Sequence, residues 1–234
     1  MRLKKIISVL SFYTLIISIF LTAVYWGSTA TSVIAQQIPL ERLNTVIIDA
    51  GHGGEDGGAI SCTGKPESSY NLEIALRLND LMHLMGIHTK MVRTIDRSVY
   101  TQGQTIASKK VSDLKNRVEL VNNTENALLL SIHQNTFSES QYHGAQVFYG
   151  SNAEGMELAK QLQEAFCNTV NTGSNRKCKR GEKVYLLEHI EKPGVLIECG
   201  FLSNYAEEAA LRSGEYQKKI CCVIAFALGS FLTK

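Results

Sequence analysis

The chain lacks several features that would assign it quickly. Its six cysteines include no Cys-x-x-Cys pair, so the ligand spacing of a zinc ribbon is missing. Its glycine-rich segment, residues 51–64, is not followed by Gly-Lys-Ser or Gly-Lys-Thr, and it contains Glu55 and Asp56. Two acids there would repel phosphate, which excludes a phosphate-binding loop. A surplus of positive charge is also missing: 24 Lys and Arg stand against 22 Asp and Glu. Three of those basic groups (Arg2, Lys4 and Lys5) fall in the first 36 residues, leaving 21 basic against 22 acidic groups in the rest. Nucleic acid needs a basic face, so it is excluded as a partner. There is no internal repeat, no low-complexity stretch and no second module with wall-binding character.

What is present begins with a leader. Arg2, Lys4 and Lys5 precede an uncharged apolar stretch, residues 6–26, followed by small residues up to Ala35. A basic start, an apolar run and a small-residue site make a secretory signal. The run also reaches the ~20 residues that span a membrane, and its basic flank puts the N-terminus inside the cell. Cleavage after Ala35 and retention as an anchor are both open; either way the remainder is exported, secreted or membrane-anchored. The expected organisation is a signal or anchor over 1–36, a linker over 37–44 and one domain over 45–234. A hydrophobic fraction of 44% over this length suits one domain with a real core. All six cysteines (62, 167, 178, 199, 221 and 222) lie in the exported part. They read as buried small hydrophobes, although an oxidising compartment permits disulfides and the sequence does not choose among fifteen pairings.

Three short apolar runs carry the chemistry. Val46-Ile47-Ile48-Asp49-Ala50-Gly51-His52 ends at a histidine, as does Leu128-Leu129-Leu130-Ser131-Ile132-His133, and Val195-Leu196-Ile197-Glu198 ends at a glutamate. Runs of this kind read as strands buried on both faces. Helical spacing predicts helices over 71–85 (capped by Ser68 or Ser69), 111–122, 154–170, 206–211 and 216–231. Further strands fall over 88–93 and 145–149, with a short extended piece at 185–187. Residues 94–108 read as a loop over the site, and 173–181 as a basic loop. Strands alternating with helices predict an α/β fold, a mainly parallel twisted sheet with helices on both faces. Such sheets build their sites past the carboxyl ends of the strands, which brings His52, His133 and Glu198 to one edge.

Two histidines and carboxylates at one sheet edge suit a catalytic zinc, which takes three protein ligands and leaves a position for water. His52 and His133 supply nitrogens. Glu67, at the mouth of the first helix, supplies a carboxylate, and Glu198 remains as acid or base. A single histidine after a strand is ordinarily structural, and a glutamate at a helix start ordinarily answers the helix dipole; the coincidence at all three strand ends outweighs both. His83 and His88 flank a helix end and a strand start and read as structural. His143 and His189 fall in loops from which they could bind substrate.

The segments Asp49-Ala50-Gly51-His52-Gly53-Gly54, Glu67 ahead of Asn71-Leu72-Glu73, Ser131-Ile132-His133-Gln134-Asn135 and Leu196-Ile197-Glu198-Cys199-Gly200 resemble the zinc-dependent N-acetylmuramoyl-L-alanine amidases. The resemblance runs from Thr45 to the C-terminus. It implies one Zn2+ held by His52, Glu67 and His133, with Glu198 as the catalytic group; Asn135 could donate to substrate or serve a structural role. The implied substrate is peptidoglycan, cut between the lactyl group of muramic acid and L-Ala. Small size and a membrane leader look most like spore-cortex members, which act toward muramic-δ-lactam and germination; this implies the forespore intermembrane space as a location. Two departures sit beside the site: Gln134, where the family often has Ala, and Cys199 after the catalytic Glu. Without a wall-binding module an exported accessory protein is expected, with residues 175–183 and the helix over 216–231 as candidate surfaces, although the helix reads first as a cover for the sheet. Two other readings stay open. One is a zinc carboxypeptidase of stem peptides, with Arg93, Lys179 or Arg180 on the terminal carboxylate. The other is a non-catalytic wall binder, which has no reason to keep Glu198.

Overall fold

A computed structural model describes residues 45–233, together with Thr14, Ile17, Ser18 and Thr22 of the leader. The expected signal or anchor and the linker therefore lie outside the described residues, those four positions apart. Among the described residues no helix is long and apolar enough to cross a membrane. The sheet lies in the unit Pro39–Lys234.

Six strands form that sheet: β1 (Thr45–Ala50), β2 (Thr89–Met91), β3 (Ala127–Asn135), β4 (Gln146–Tyr149), β5 (Lys179–Arg180) and β6 (Gly194–Phe201), in the order β2-β1-β3-β6-β4-β5. The strands β2, β1, β3 and β6 run parallel, and β4 is antiparallel to β6. The helices are α1 (Glu67–Leu84), α2 (Ile106–Asn122), α3 (Ala153–Thr169), α4 (Tyr185–His189), α5 (Tyr205–Leu211) and α6 (Gly214–Leu232). Alternation along the buried strands splits the core in two. Val46, Ile48, Leu128, Leu130, Val195 and Ile197 pack in one layer with side chains of α1, α3 and α6. Ile47, Leu129 and Leu196 pack in the other with Val121 of α2, Leu186 and Leu187 of α4, and Ile190. Both faces are covered, which is why the parallel strands read as unbroken apolar runs.

Four features depart from the sequence expectation. Helix α1 begins at Glu67, not at residue 71, and neither Ser68 nor Ser69 caps it: Pro66 holds the N-cap position with φ −71° and ψ 147°, and no side chain caps the helix. Proline fixes φ and needs no N–H partner, so it can begin a helix that lacks a polar cap. Helix α2 begins at Ile106 because Thr105 and Ser108 form a reciprocal capping box, which shortens the loop over the site to residues 94–105. The segment expected to be extended at 185–187 is helix α4, and the basic loop contains the edge strand β5. Finally, all six cysteines are free thiols and only Cys199 and Cys221 are buried.

Candidate metal centre

The site forms where β1, β3 and β6 end. Register sets it: His133 of β3 pairs with Glu198 of β6, and Gln146 of β4 pairs with Glu198 from the other side. His52 follows β1 by two residues. Its φ is 60°, a left-handed conformation that a non-glycine residue adopts only when its surroundings impose it. Glu67 comes from the first turn of α1 and lies between the two imidazoles. Its Oε2 is 3.2 Å from His52 Nε2 and its Oε1 is 2.9 Å from His133 Nδ1. One ligand atom from each of His52, Glu67 and His133 lies within 4.8 Å of the other two, and this is the group of His, Cys, Asp and Glu found close enough to hold an ion among the described residues.

Glycines make the convergence possible. A Cβ on Gly51 would stand 2.2 Å from His133 Nε2, and one on Gly58 would stand 2.6 Å from Glu67 Oε2 and 2.7 Å from His52 Cδ2. Gly58 also has φ +70°. The glycine-rich segment is thus a cradle for ligands, not merely a set of turns.

The electrostatics divide the two glutamates. Burial alone would raise Glu67, but hydrogen bonds from His133 and His52 and their charge hold it far below the ordinary carboxylate range. It also accepts from the N–H groups of Ala59 (3.0 Å) and Gln134 (3.1 Å) and from Asn71 Nδ2 (3.1 Å). Such a carboxylate stays ionised and suits a cation. Burial pushes Glu198 up to about 7 against the pull of His133, and its Oε2 is buried with no hydrogen-bond partner. A buried carboxyl with a free oxygen and a value near neutrality suits proton transfer. His52 is lowered by burial but raised further by Glu67 and Asp56, for a net rise.

Around these residues lies a shell whose supporting role the sequence did not reveal. Asp56 Oδ2 is 2.9 Å from His52 Nδ1 and 3.1 Å from Lys110 Nζ, the carboxylate–histidine arrangement that orients metal ligands. Arg117 is buried. It pairs with Asp49 and with Asp113 (2.6 Å), and donates to the carbonyls of Ala50 (3.1 Å) and His52 (2.9 Å). Arg93 is 1% exposed and donates to the carbonyls of Ala50 (2.8 Å), Gly51 (3.0 Å) and Ser68 (2.9 Å). The two guanidiniums pin the backbone that presents His52. Asn71 donates to Gly51 O (3.2 Å) and accepts from Gln134 Nε2 (3.3 Å), so the unusual Gln134 braces the residue that braces Glu67.

The remaining expected residues sort as follows. Arg93 is consumed by backbone carbonyls, which removes it as a binder of a terminal carboxylate. Asn135 Oδ1 accepts from Thr136 N at 2.8 Å, a local role. His143 lies outside the metal cluster, in the wall of a separate cavity with Arg176 and Glu207. His189 stacks on Tyr185 at 3.9 Å, and its carbonyl accepts from Asn122 at the end of α2, just before β3 begins. That is the opposite sheet edge, so His189 is not at the site. His83 and His88 bond Thr89 and Thr45 there, as structural residues do. The loop over the site meets the glycine-rich segment where Gly54 N donates to Asp96 Oδ1 at 2.9 Å and Ser98 Oγ donates to Gly53 O.

Residues 46–230 match the family described as N-acetylmuramoyl-L-alanine amidase. The germination-specific N-acetylmuramoyl-L-alanine amidase of Bacillus subtilis (strain 168) is 36% identical over 192 residues, covering 81% of this chain and 80% of that protein. Among solved structures, the CwlD amidase from Clostridioides difficile, determined in complex with the GerS lipoprotein, is similar at 38% identity with a TM-score of 0.78, covering 81% of this chain and 98% of that one. An N-acetylmuramoyl-L-alanine amidase from Clostridium difficile 630 is similar at 30% identity with a TM-score of 0.71, covering 82% of this chain and 97% of that one.

Proposed function

The chain belongs to the N-acetylmuramoyl-L-alanine amidase family, hydrolases of the amide between the lactyl group of muramic acid and L-Ala, and from that premise we propose that it cuts peptidoglycan with one zinc ion held by His52, Glu67 and His133 and with Glu198 as the proton carrier. The observation that carries this reading is the convergence of three ligand atoms within 4.8 Å, with Glu198 one strand away in register with His133. The donor set fits zinc: two imidazoles and a carboxylate leave a position for water. Bound there, zinc supplies a Lewis acid for the scissile carbonyl and brings the pKa of water to about 7.

The chain's own residues do the rest. Glu67 stays ionised between the histidines and keeps both rings turned to the site. Asp56 accepts from His52 Nδ1, which leaves Nε2 free as the ligand atom. Glu198 takes the proton of the attacking water on its unpartnered Oε2 and delivers it to the departing nitrogen of L-Ala. Arg117 and Arg93 hold the β1 end against the strain at His52.

The likeness to a germination-specific amidase supports a spore-cortex substrate on the route to muramic-δ-lactam. The leader supports export, whether as a secreted or an anchored protein. The likeness to an amidase solved with a lipoprotein supports an exported accessory partner. The deciding experiment digests purified cortex peptidoglycan with the zinc-loaded chain and reads muropeptides by mass spectrometry. Loss of intact stem peptides from muramic acid, with new L-Ala amines, is the expected result. Release of D-Ala alone would replace this reading with a carboxypeptidase.

A further inference from the structure

A cavity of about 430 Å³ opens past the end of β6, the strand that carries Glu198. Its walls are residues 141–144 before β4 and 170–176 after α3, with Glu207 of α5 behind them. It shares a strand with the site. Phe201 ends β6 three residues past Glu198, and its N–H donates to Glu207 Oε2 at 2.8 Å. Three residues of strand span roughly 10 Å, close to the reach of three residues of extended peptide. A stem peptide with its first residue at Glu198 can therefore place its second and third residues here.

Several polar groups of the cavity are already engaged. Glu207 accepts from Gly144 N (2.7 and 3.0 Å) as well as from Phe201 N. Asn171 accepts from Ala145 N and donates to Ala145 O, both at 3.1 Å. His143 Nδ1 is 3.0 Å from the carbonyl of Gln141, so Nδ1 donates and Nε2 is left over. These bonds fix the walls before any ligand arrives. Arg176 is the cation left uncommitted in this lining. Its guanidinium lies over the Phe201 ring, 5.3 Å from the centroid, and among the described residues it makes no ion pair and no side-chain hydrogen bond. A half-buried guanidinium stacked on an aromatic ring is held in place with its donor fork free, and that fork matches a carboxylate. The charge of Glu207 lies near it, but both its oxygens are occupied by backbone N–H groups.

Building on the amidase reading, we propose that this cavity is the subsite for the stem peptide beyond L-Ala, and that Arg176 binds a carboxylate of its second or third residue. Arg176 thereby sets specificity for peptides whose carboxylates are free over those in which they are amidated.

The test uses the full chain, zinc-loaded, with two muramoyl tripeptides that differ only in whether the peptide carboxylates are free or amidated. Arg176→Met is expected to raise KM for the free-carboxylate substrate about tenfold or more, the usual worth of a hydrogen bond to a charged group. The expectation for kcat is a change of less than about twofold, with the amidated substrate unaffected and Arg176→Lys restoring part of the loss. Calorimetry of the released tripeptide, which needs no turnover, should show the same ratio in Kd. An unchanged KM, or equal changes for both substrates, would overturn the subsite. A native chain that cuts neither substrate would instead sink the amidase reading, and the tripeptide titration would still decide the role of Arg176.

Discussion

Gly51→Ala is the sharpest perturbation the site offers, because it adds one carbon and no charge. That carbon would stand 2.2 Å from His133 Nε2, 2.3 Å from Cε1 and 2.7 Å from Cδ2, which places it against the imidazole itself. Ordinary contact begins near 3.4 Å, so the ring must retreat by more than about 1 Å. Metal sites tolerate displacements of roughly 0.2 Å. The ring cannot retreat freely, because Glu67 Oε1 holds Nδ1 at 2.9 Å and Glu67 is itself tied to Gln134 N and Asn71. Losing the His133–Glu67 bond costs about 1–3 kcal/mol of stability, which a domain of this size survives. Zinc affinity should fall by more than the roughly 10–100-fold that a supporting residue typically costs, since a ligand itself is displaced. The assay is competition against a chromophoric chelator, with circular dichroism to verify the fold and Gly214→Ala, in the first turn of α6, as the control. A folded Gly51→Ala chain that binds zinc as tightly as the native one would refute the assignment of His133 as a ligand.

Glu198→Gln should retain zinc and lose about 10²–10⁴ in turnover; loss of zinc would make it a ligand instead. Asp56→Asn should weaken zinc by about 10–100-fold at unchanged stoichiometry, and an unaltered affinity would show that the 2.9 Å contact with His52 is incidental. Zinc at about 100 times its Kd should stabilise the fold by about 2.7 kcal/mol, seen as a rise in Tm that His52→Ala abolishes; an equal rise in that variant would point to another site. Burial raises Asp49, but Arg117 and Ser131 more than offset that and hold it below its ordinary 3.8. Its contribution is complete above that value and is lost as pH falls through the folded-state value, so Asp49→Asn should flatten the acid limb of the Tm–pH curve, and an unchanged limb would clear Asp49 of that role.

The parallel strands were legible in the sequence because burial on both faces leaves unbroken apolar runs, and the runs stop where chemistry begins. The convergence of His52, His133 and Glu198 at one sheet edge was therefore readable from one-dimensional spacing, and the approach of Glu67 from its place at the helix mouth. What was not legible is whatever depends on a partner distant in sequence. Arg93 looks like a free cation until the fold surrounds it with carbonyls 25 to 43 positions away. Arg117 sits four residues after Asp113 on α2, the spacing of a solvent-exposed helical pair, yet it is buried and reaches Asp49 across the sheet edge. His143 and His189 are alike as loop histidines, and only the antiparallel turn of β4 separates them, carrying one to the site edge and leaving the other at the opposite end. The same distinction applies to the C-terminal helix. Its apolar character allowed a partner surface or a cover for the sheet, and the burial favours the cover: Ile220, Ile224 and Leu228 lie in the core layer shared with α1 and α3, while among the described residues Phe226 alone of its large apolar side chains is strongly exposed, at 69%. Most of that hydrophobicity is therefore used inside the domain.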